Sequence, residues 1–225
     1  MSTPFTCLAI ETATAVSTVA VCRGDEQHEV RLSGNRPGAG EVYSSIDQAL
    51  TAVGVDKSQL NCIAFGCGPG SFTGVRIAAA VTQGLAFGLE IPVARVSTLA
   101  LLAAPLCQDY PDSVIAAGID ARQNEAYLGF YKAGENTLPE QILADALVPS
   151  AGIAVDFDSL VLAGNAWSEY PELNSRFAGE IVAVKPDALP SATSLLAVAE
   201  EQWNTGVLVD AFAAQPNYLR DKVWD

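Results

Sequence analysis

The sequence contains only one histidine, His28, and this scarcity excludes several kinds of catalytic site. A metal centre with two or more histidine ligands cannot form. A serine–histidine triad would have to use His28, which stands in the polar stretch DEQHEVR, where an exposed side chain is expected. Ser71 also lacks the GxSxG context of a nucleophile elbow, because Pro69 stands two positions before it. A peptidase is therefore the weakest interpretation.

Cysteine pairs of the CxxC type are also missing. The five cysteines are odd in number, so neither a disulfide framework nor a zinc ribbon is predicted. The first residues, MSTPFTCLAIE, do not show the basic start and long apolar stretch of a signal peptide. We therefore expect a cytoplasmic protein with reduced thiols.

Basic residues are few, with 12 Lys and Arg against 26 Asp and Glu, and the formal net charge is −14. This field repels the phosphates of nucleic acid, so direct tRNA binding by the chain alone is not expected. Long apolar runs are lacking too, since Arg76, Glu90, Pro92 and Arg95 interrupt the most apolar region. We expect that region to form a buried core and not to enter a membrane.

The apolar residues that are present make up 50% of the chain and follow strand and helix periodicities in alternation. This order predicts an α/β fold. The predicted strands are 5–10, 16–22, 29–32, 62–65, 92–96, 114–120, 126–131, 160–163 and 181–184. The predicted helices are 41–53, 75–87, 98–106 and 191–203.

The second half of the chain begins like the first. AIETATAVSTVAV aligns with GIDARQNEAYLGF, which places Ile10 on Ile119 and the strand-ending acid Glu11 on Asp120. An acid followed by a polar hairpin turn can bring a carboxylate and backbone N–H groups to a phosphate and its magnesium ion. Equally, threonines in such a turn can serve only to close the hairpin. The candidate nucleotide-binding residues are Glu11, Thr12, Thr14, Asp120 and Arg122.

The stretch GCGPGSFTGVR combines four glycines with Ser71 and Thr73 ahead of a predicted helix. Such a loop can cradle an anion at a helix N-terminus. It is not a P-loop, because Val75 and Arg76 follow Gly74 in place of lysine and serine or threonine. The favoured interpretation is structural: the glycines allow a tight turn, and Ser71 or Thr73 caps the helix.

The helix that follows is apolar nearly all round and rich in alanine and glycine. Such a helix is usually buried on more than one side. Periodicity leaves open whether the second side meets this chain or another protein.

These segments together resemble the TsaB family, also called YeaZ. The resemblance is carried by LAIETATAVSTVAV, AFGCGPGSFTGVRIAAAVTQGLAFG, VSTL, GIDARQNEAYLGFY and PNYLR, of which GPGSFTGVR with the downstream QGLA is the most specific. It implies the actin and sugar kinase (ASKHA) superfamily fold, built from duplicated ribonuclease H-like units. The two subdomains are expected at 1–107 and 108–225. Glu11 departs from the aspartate expected in many relatives, which weakens the case for independent nucleotide binding.

The resemblance also implies a function. TsaB proteins are partners of the catalytic paralogue TsaD, which uses a histidine-bound metal to make threonylcarbamoyladenosine beside the anticodon of tRNA, and the ATPase TsaE joins them. This chain is therefore expected to be a non-catalytic scaffold with no metal and no firmly bound cofactor of its own. Binding of ATP and magnesium is left open only for the complex with its partners. A homodimer of the isolated chain and an ATP-dependent phosphotransferase using Glu11 and Asp120 remain alternatives. The residues expected to meet the partner are Tyr43, Ile46, Ser71, Phe72, Arg76, Ile77, Ala80, Val81 and Gly84.

Overall fold

The computed structural model describes residues 4–33 and 38–220. The strands are β1 (Thr6–Glu11), β2 (Thr18–Arg23), β3 (Glu26–Arg31), β4 (Cys62–Gly66), β5 (Val93–Val96), β6 (Val114–Arg122), β7 (Glu125–Ala133), β8 (Pro139–Pro149), β9 (Val155–Ala163) and β10 (Phe177–Lys185). The helices are α1 (Ala39–Val53), α2 (Phe72–Leu89), α3 (Thr98–Asp109), α4 (Ala166–Glu169) and α5 (Ala192–Thr205). Short 3-10 turns occupy Lys57–Gln59, Glu135–Thr137 and Pro171–Asn174.

The first sheet has the strand order β3-β2-β1-β4-β5. β1, β2 and β3 pair antiparallel, whereas β4 runs parallel to β1 and β5 parallel to β4. Since successive side chains of a strand point to opposite faces, Leu8 and Ile10 pack into the core that α1 and α2 cover. Helix α5 covers the other face, where Trp203 contacts Phe5. The first sheet is therefore enclosed by helices on both faces.

The second sheet repeats this order as β8-β7-β6-β9-β10. β6, β7 and β8 are antiparallel, and β9 and β10 continue in parallel. Its core gathers Leu128, Phe130, Leu160 and Trp167. The duplication predicted from the two aligned hairpins is confirmed at the level of the fold, and the architecture is the ASKHA-type α/β fold.

The chain forms two compact units that do not follow the predicted boundary between residues 107 and 108. The first unit takes the residues up to Thr98 together with Pro190–Asn217, and the second takes Leu99–Leu189 with the residues from Tyr218. Helix α5 belongs to the first unit because its N-terminal amide at Ala192 donates to Thr18 Oγ1 over 2.8 Å. The second half of the sequence therefore supplies one layer of the first unit.

Helix α2 begins three residues earlier than predicted. Ser71 is its N-cap, with Oγ accepting from the Gly74 amide at 3.4 Å, so the serine cap is confirmed. The helix ends at Leu89, and the residue that follows, Glu90, has a left-handed backbone conformation. By length and composition alone α2 is apolar enough to cross a membrane, but its mean hydropathy is only 1.3 and core helices of soluble proteins have the same properties. About a third of that stretch is buried, which leaves much of an apolar helix at the surface.

Candidate functional site

The first hairpin closes around the carboxyl group of Glu11, at the end of β1. Oε1 accepts a hydrogen bond of 2.6 Å from the Ala13 amide, and Oε2 lies 3.5 Å from Thr98 Oγ1. The side chain is completely buried. Burial raises the pKa of Glu11 to about 7, although the hydrogen bonds from Ala13 and Thr98 act in the opposite direction. A carboxyl group in this environment is an internal hydrogen-bond acceptor.

The two threonines of this hairpin are also used inside the protein. Thr12 Oγ1 donates to the Gly74 carbonyl oxygen over 2.7 Å, and Thr14 Oγ1 donates to the Val16 carbonyl oxygen over 3.2 Å. The Ser71 amide donates to the Ala13 carbonyl oxygen over 2.7 Å. The glycine-rich loop therefore packs directly on the hairpin turn, and these contacts support the structural interpretation of its glycines.

The second hairpin uses its acid in the same way. Asp120 Oδ1 accepts from the Arg122 amide at 2.7 Å, two residues ahead, just as Glu11 accepts from Ala13. The same oxygen accepts from the Tyr170 hydroxyl at 2.8 Å, and Oδ2 lies 3.1 Å from Arg122 Nη1. Burial, followed by the hydrogen bond to Asp120, raises the pKa of Tyr170. Alignment of the two halves of the sequence identified Asp120. It could not identify Tyr170, which is distant from Asp120 along the chain.

In both hairpins the acid is buried or nearly buried and is engaged by groups of its own unit. Magnesium needs accessible carboxylate oxygens and keeps several water ligands. Glu11 is fully buried, and the Asp120 side chain is only 6% exposed with both oxygens engaged. Among the residues that the structure describes, no group of three or more His, Cys, Asp or Glu side chains could hold a metal ion. His28 lies on the exposed strand β3.

A different kind of surface runs along helix α2. Phe72, Arg76, Ala80, Gly84 and Phe87 follow one another at helical spacing and are exposed. The Arg76 guanidinium stacks 3.3 Å above the centre of the Phe72 ring. A Cβ atom on Gly84 would meet no atom within 4 Å. The middle of this stripe therefore carries only small residues, Ala80 and Gly84, and an aromatic residue lies at each end.

Two shallow grooves flank the stripe and share Ala80. One, of about 360 Å³, lies towards α1 and is lined by Ala39, Phe72, Thr73, Arg76, Ile77, Ala80 and Val81. The other, of about 440 Å³, lies beside the chain that follows α5 and is lined by Ala80, Gln83, Gly84, Phe87, Ala211, Phe212 and Gln215. Arg76 is the only charged residue among these lining side chains. The α2 surface, defined as this stripe and its two grooves, is therefore mostly apolar.

Comparison with known proteins places the chain in a family. A family model described as "TsaD: tRNA N6-adenosine threonylcarbamoyltransferase" matches residues 39–224. The tRNA threonylcarbamoyladenosine biosynthesis protein TsaB of Haemophilus influenzae is 31% identical over 97% of this chain and 94% of its own length. Escherichia coli TsaB is 31% identical over 96% of this chain and 95% of its own. The chain belongs to the TsaB family.

A solved structure agrees with this assignment. YeaZ from Pseudomonas aeruginosa superposes with a TM-score of 0.87 at 35% identity, covering 96% of this chain and all of that one. The agreement extends over both units, so the TsaB resemblance that the motifs predicted from sequence is confirmed along nearly the whole chain.

The residues expected to form the partner surface of this TsaB family member divide into two sets. Tyr43, Ser71, Phe72, Arg76, Ala80 and Gly84 are exposed, and Ile77 is half-buried. Ile46 and Val81 are instead buried in the core beneath α1 and α2, with exposures of 0% and 2%. Ile46 therefore leaves the contact set, because a side chain inside the core cannot meet a partner, and Val81 stays only as a lining residue of the first groove.

Two aromatic residues of the α2 surface are absent from the contact residues named from the sequence. Phe87 is 64% exposed and Phe212 is 75% exposed, and their rings meet edge to face with centroids 5.6 Å apart. Phe87 could have been found, because it lies one helical turn after Gly84. Phe212 could not, since no periodicity marks the loop after α5.

Proposed function

We propose that this chain acts in the biosynthesis of tRNA threonylcarbamoyladenosine as a non-catalytic subunit that binds and stabilises TsaD, with the ATPase TsaE joining the assembly. The role of the H. influenzae and E. coli relatives as tRNA threonylcarbamoyladenosine biosynthesis proteins supports the pathway. The finer role, a scaffold, rests on the geometry of the α2 surface.

The observation that carries the proposal is the combination of small and aromatic residues on this surface. Ala80 and Gly84 would let a partner helix approach closely, because no side chain keeps the backbones apart. Phe72 and Phe87, at the two ends, offer the large apolar contacts that dominate binding energy at protein interfaces. Burial of this apolar area would supply most of the affinity.

The state of the two hairpin acids supports a non-catalytic role. A phosphotransferase would need Glu11 to reach a magnesium ion, yet its oxygens are directed to Ala13 and Thr98 inside the fold. We propose that the chain alone holds no nucleotide firmly, and that ATP and magnesium are bound only within the complex. With a net charge of −14, the chain should depend on its partners for contact with tRNA.

The cellular setting follows from the same proposal. We place the protein in the cytoplasm, where its five free cysteines would stay reduced. In the absence of TsaD the α2 surface can pair with a second copy of the chain, so a homodimer of the isolated protein belongs to the proposal.

The test is the affinity for TsaD of variants that carry a charge on the α2 surface. Ala80→Glu and Gly84→Glu should each weaken binding by about 100-fold or more, because an unpaired carboxylate buried in an apolar contact costs several kcal/mol. Ala197→Glu is the matched control, since Ala197 is an exposed helical alanine on α5, which covers the other face of the first sheet. Isothermal titration calorimetry with purified TsaD gives the dissociation constants.

Circular dichroism should show that all three variants fold normally. If Ala80→Glu and Gly84→Glu fold and bind TsaD like the unchanged protein, the α2 surface is not the docking site. If Ala197→Glu loses binding as well, the contact lies elsewhere or the effect is one of charge alone.

A further inference from the structure

Three of the five cysteines lie side by side in the first sheet. In the antiparallel pair of β1 and β2, Cys7 stands opposite Cys22. In the parallel pair of β1 and β4, Cys7 stands opposite Cys62. Residues in register on neighbouring strands point to the same face, so the three thiols form one row across three strands.

This row lies beneath helix α5 and not in the core under α1 and α2. Phe5, two residues before Cys7 on the same face, contacts Trp203 of α5. The charge of Glu200, also on α5, acts on Cys22. All three cysteines are buried, with exposures of 0% for Cys7 and Cys62 and 5% for Cys22.

Within the row, Cys7 and Cys62 interact through their side chains. Each thiol donates to a backbone carbonyl oxygen, Cys7 to Leu8 at 3.6 Å and Cys62 to Ile63 at 3.7 Å. Burial raises the pKa of Cys7, whereas the neighbouring Cys7 side chain lowers the pKa of Cys62. Cys22 differs, because burial raises its pKa to about 11 and its hydrogen bond goes to the backbone of Cys7. Of the two neighbours of Cys7, Cys62 is therefore the better nucleophile.

We propose that Cys7 and Cys62 form a thiol pair that a peroxide oxidises to a disulfide between β1 and β4. Neighbouring strands are about 4.8 Å apart, within the Cα separation that a disulfide spans. The Cys62 thiolate attacks one peroxide oxygen, which gives a sulfenic acid and releases water or an alcohol. The Cys7 thiol then attacks the Cys62 sulfur and expels water. The two thiols lose two hydrogens and two electrons, and the peroxide O–O bond takes them up.

The route for the oxidant lies on the α5 side of the sheet, which the row of thiols faces. Trp203, which contacts Phe5 on this face, lies in the last turn of α5, and the helix ends at Thr205, before the exposed Gly206. Terminal helical turns open at low free-energy cost, so the buried pair becomes accessible without global unfolding.

The experiment uses the full chain, reduced, freed of reductant and treated with hydrogen peroxide in native buffer. Free thiols, titrated after unfolding, should fall from five to three. Tryptic peptide 1–23, which contains Cys7 and Cys22, should become linked to peptide 58–76, which contains Cys62 and Cys67. A thiol reductant should release the two peptides.

Cysteine variants identify which two sulfur atoms form the disulfide. The double variant Cys22→Ser with Cys67→Ser should still form the linked peptides, because only Cys7 and Cys62 remain in them. Cys62→Ala should abolish the linkage, and Cys107→Ser, a buried cysteine of the second unit, should leave it unchanged. Trp203→Ala should speed the oxidation if the last turn of α5 is the cover.

Three results would overturn the proposal. The first is that the two peptides stay separate in native buffer and link only after unfolding in urea. The second is a bond between Cys7 and Cys22 within peptide 1–23. The third is loss of linkage in the Cys22→Ser, Cys67→Ser variant while its circular dichroism spectrum is unchanged, since the bond would then use one of those two cysteines.

Discussion

The Glu11 side chain lies directly against the backbone of Gly66, at the end of the neighbouring strand β4. A Cβ atom on residue 66 would come within 1.7 Å of Glu11 Oε2. Any residue larger than glycine at position 66 would therefore displace the carboxyl group from Ala13 and Thr98. The strand-ending acid and the first glycine of the loop form one structural unit, in which the glycine makes room for the acid.

This arrangement predicts how stability depends on pH. The folded pKa of Glu11, about 7, is above the ordinary value of 4.5, so the native state retains a proton that the unfolded state has lost. The stabilisation by the protonated form is complete below pH 4.5 and is lost as the pH rises through 7. Glu11→Gln should remove this loss, which amounts to roughly 1–3 kcal/mol.

Urea unfolding at a series of pH values from 5 to 8.5, chosen to span roughly this transition, measures the effect. The difference in free energy of unfolding between Glu11→Gln and the unchanged protein should shift in favour of the variant as pH rises. Glu26→Gln, an exposed glutamate on β3 of the same unit, is the control and should show no such shift. Parallel profiles for Glu11→Gln and the unchanged protein would mean that Glu11 does not titrate in this range.

Two glycines of helix α2 give a matched pair of predictions. A Cβ on Gly74 would lie 1.8 Å from the Thr12 carbonyl oxygen, a backbone atom that cannot move aside cheaply, whereas a Cβ on Gly84 would meet nothing within 4 Å. Gly74→Ala should lower the free energy of unfolding by about 1–3 kcal/mol or more. Gly84→Ala should raise it by about 0.5–1 kcal/mol, since alanine is the better helix former.

Urea unfolding followed by circular dichroism compares the two variants. Equal effects would show that the hairpin turn can retreat from the helix, and that the contact between Thr12 and Gly74 is not tight in solution.

Much of this hairpin and loop could be predicted from the sequence, because the signals are local. The strand pattern ends at Glu11, the glycine cluster begins at Gly66, and Ser71 precedes an apolar helix. What could not be predicted is that the Glu11 side chain packs against the backbone of Gly66. That contact joins residues 55 positions apart, and local patterns carry no information about it.

The candidate partner surface shows the same limit. Helical periodicity identifies the residues that share a face, but it does not decide which face of an apolar helix the sheet covers. For this reason Ile46 and Val81 were assigned to the surface although they are core residues. Strand β8 was missed for a related reason, since most of its side chains are exposed or half-buried and it lacks a regular apolar alternation.

The second hairpin depends on Arg220, near the end of the chain. Its guanidinium donates hydrogen bonds to the Ala121 carbonyl oxygen, over 2.9 Å, and to the Gln123 side chain. It also forms an ion pair with Glu125 at 2.7 Å. These contacts hold a turn in which three successive residues, 122 to 124, have positive φ angles. Arg220→Ala should destabilise the turn by about 1–3 kcal/mol, because hydrogen bonds from a charged donor are lost.

Hydrogen exchange of the backbone amides from residues 121 to 125 measures this effect. Arg220→Lys is the control, and it should restore only part of the protection, since an ammonium group lacks the fork that reaches several acceptors at once. Unchanged exchange in Arg220→Ala would mean that the turn is held by its own backbone bonds.

Nucleotide binding separates a scaffold from an ATP-dependent phosphotransferase. Because Glu11 is buried and both Asp120 oxygens are engaged, ATP with magnesium titrated into the isolated chain should give no binding heat. The same titration into the chain mixed with TsaD and TsaE should give heat, and Glu11→Gln should leave that heat unchanged. Clear binding by the isolated chain, abolished by Asp120→Asn, would show that the second hairpin opens to a nucleotide, and the phosphotransferase interpretation would then replace the scaffold.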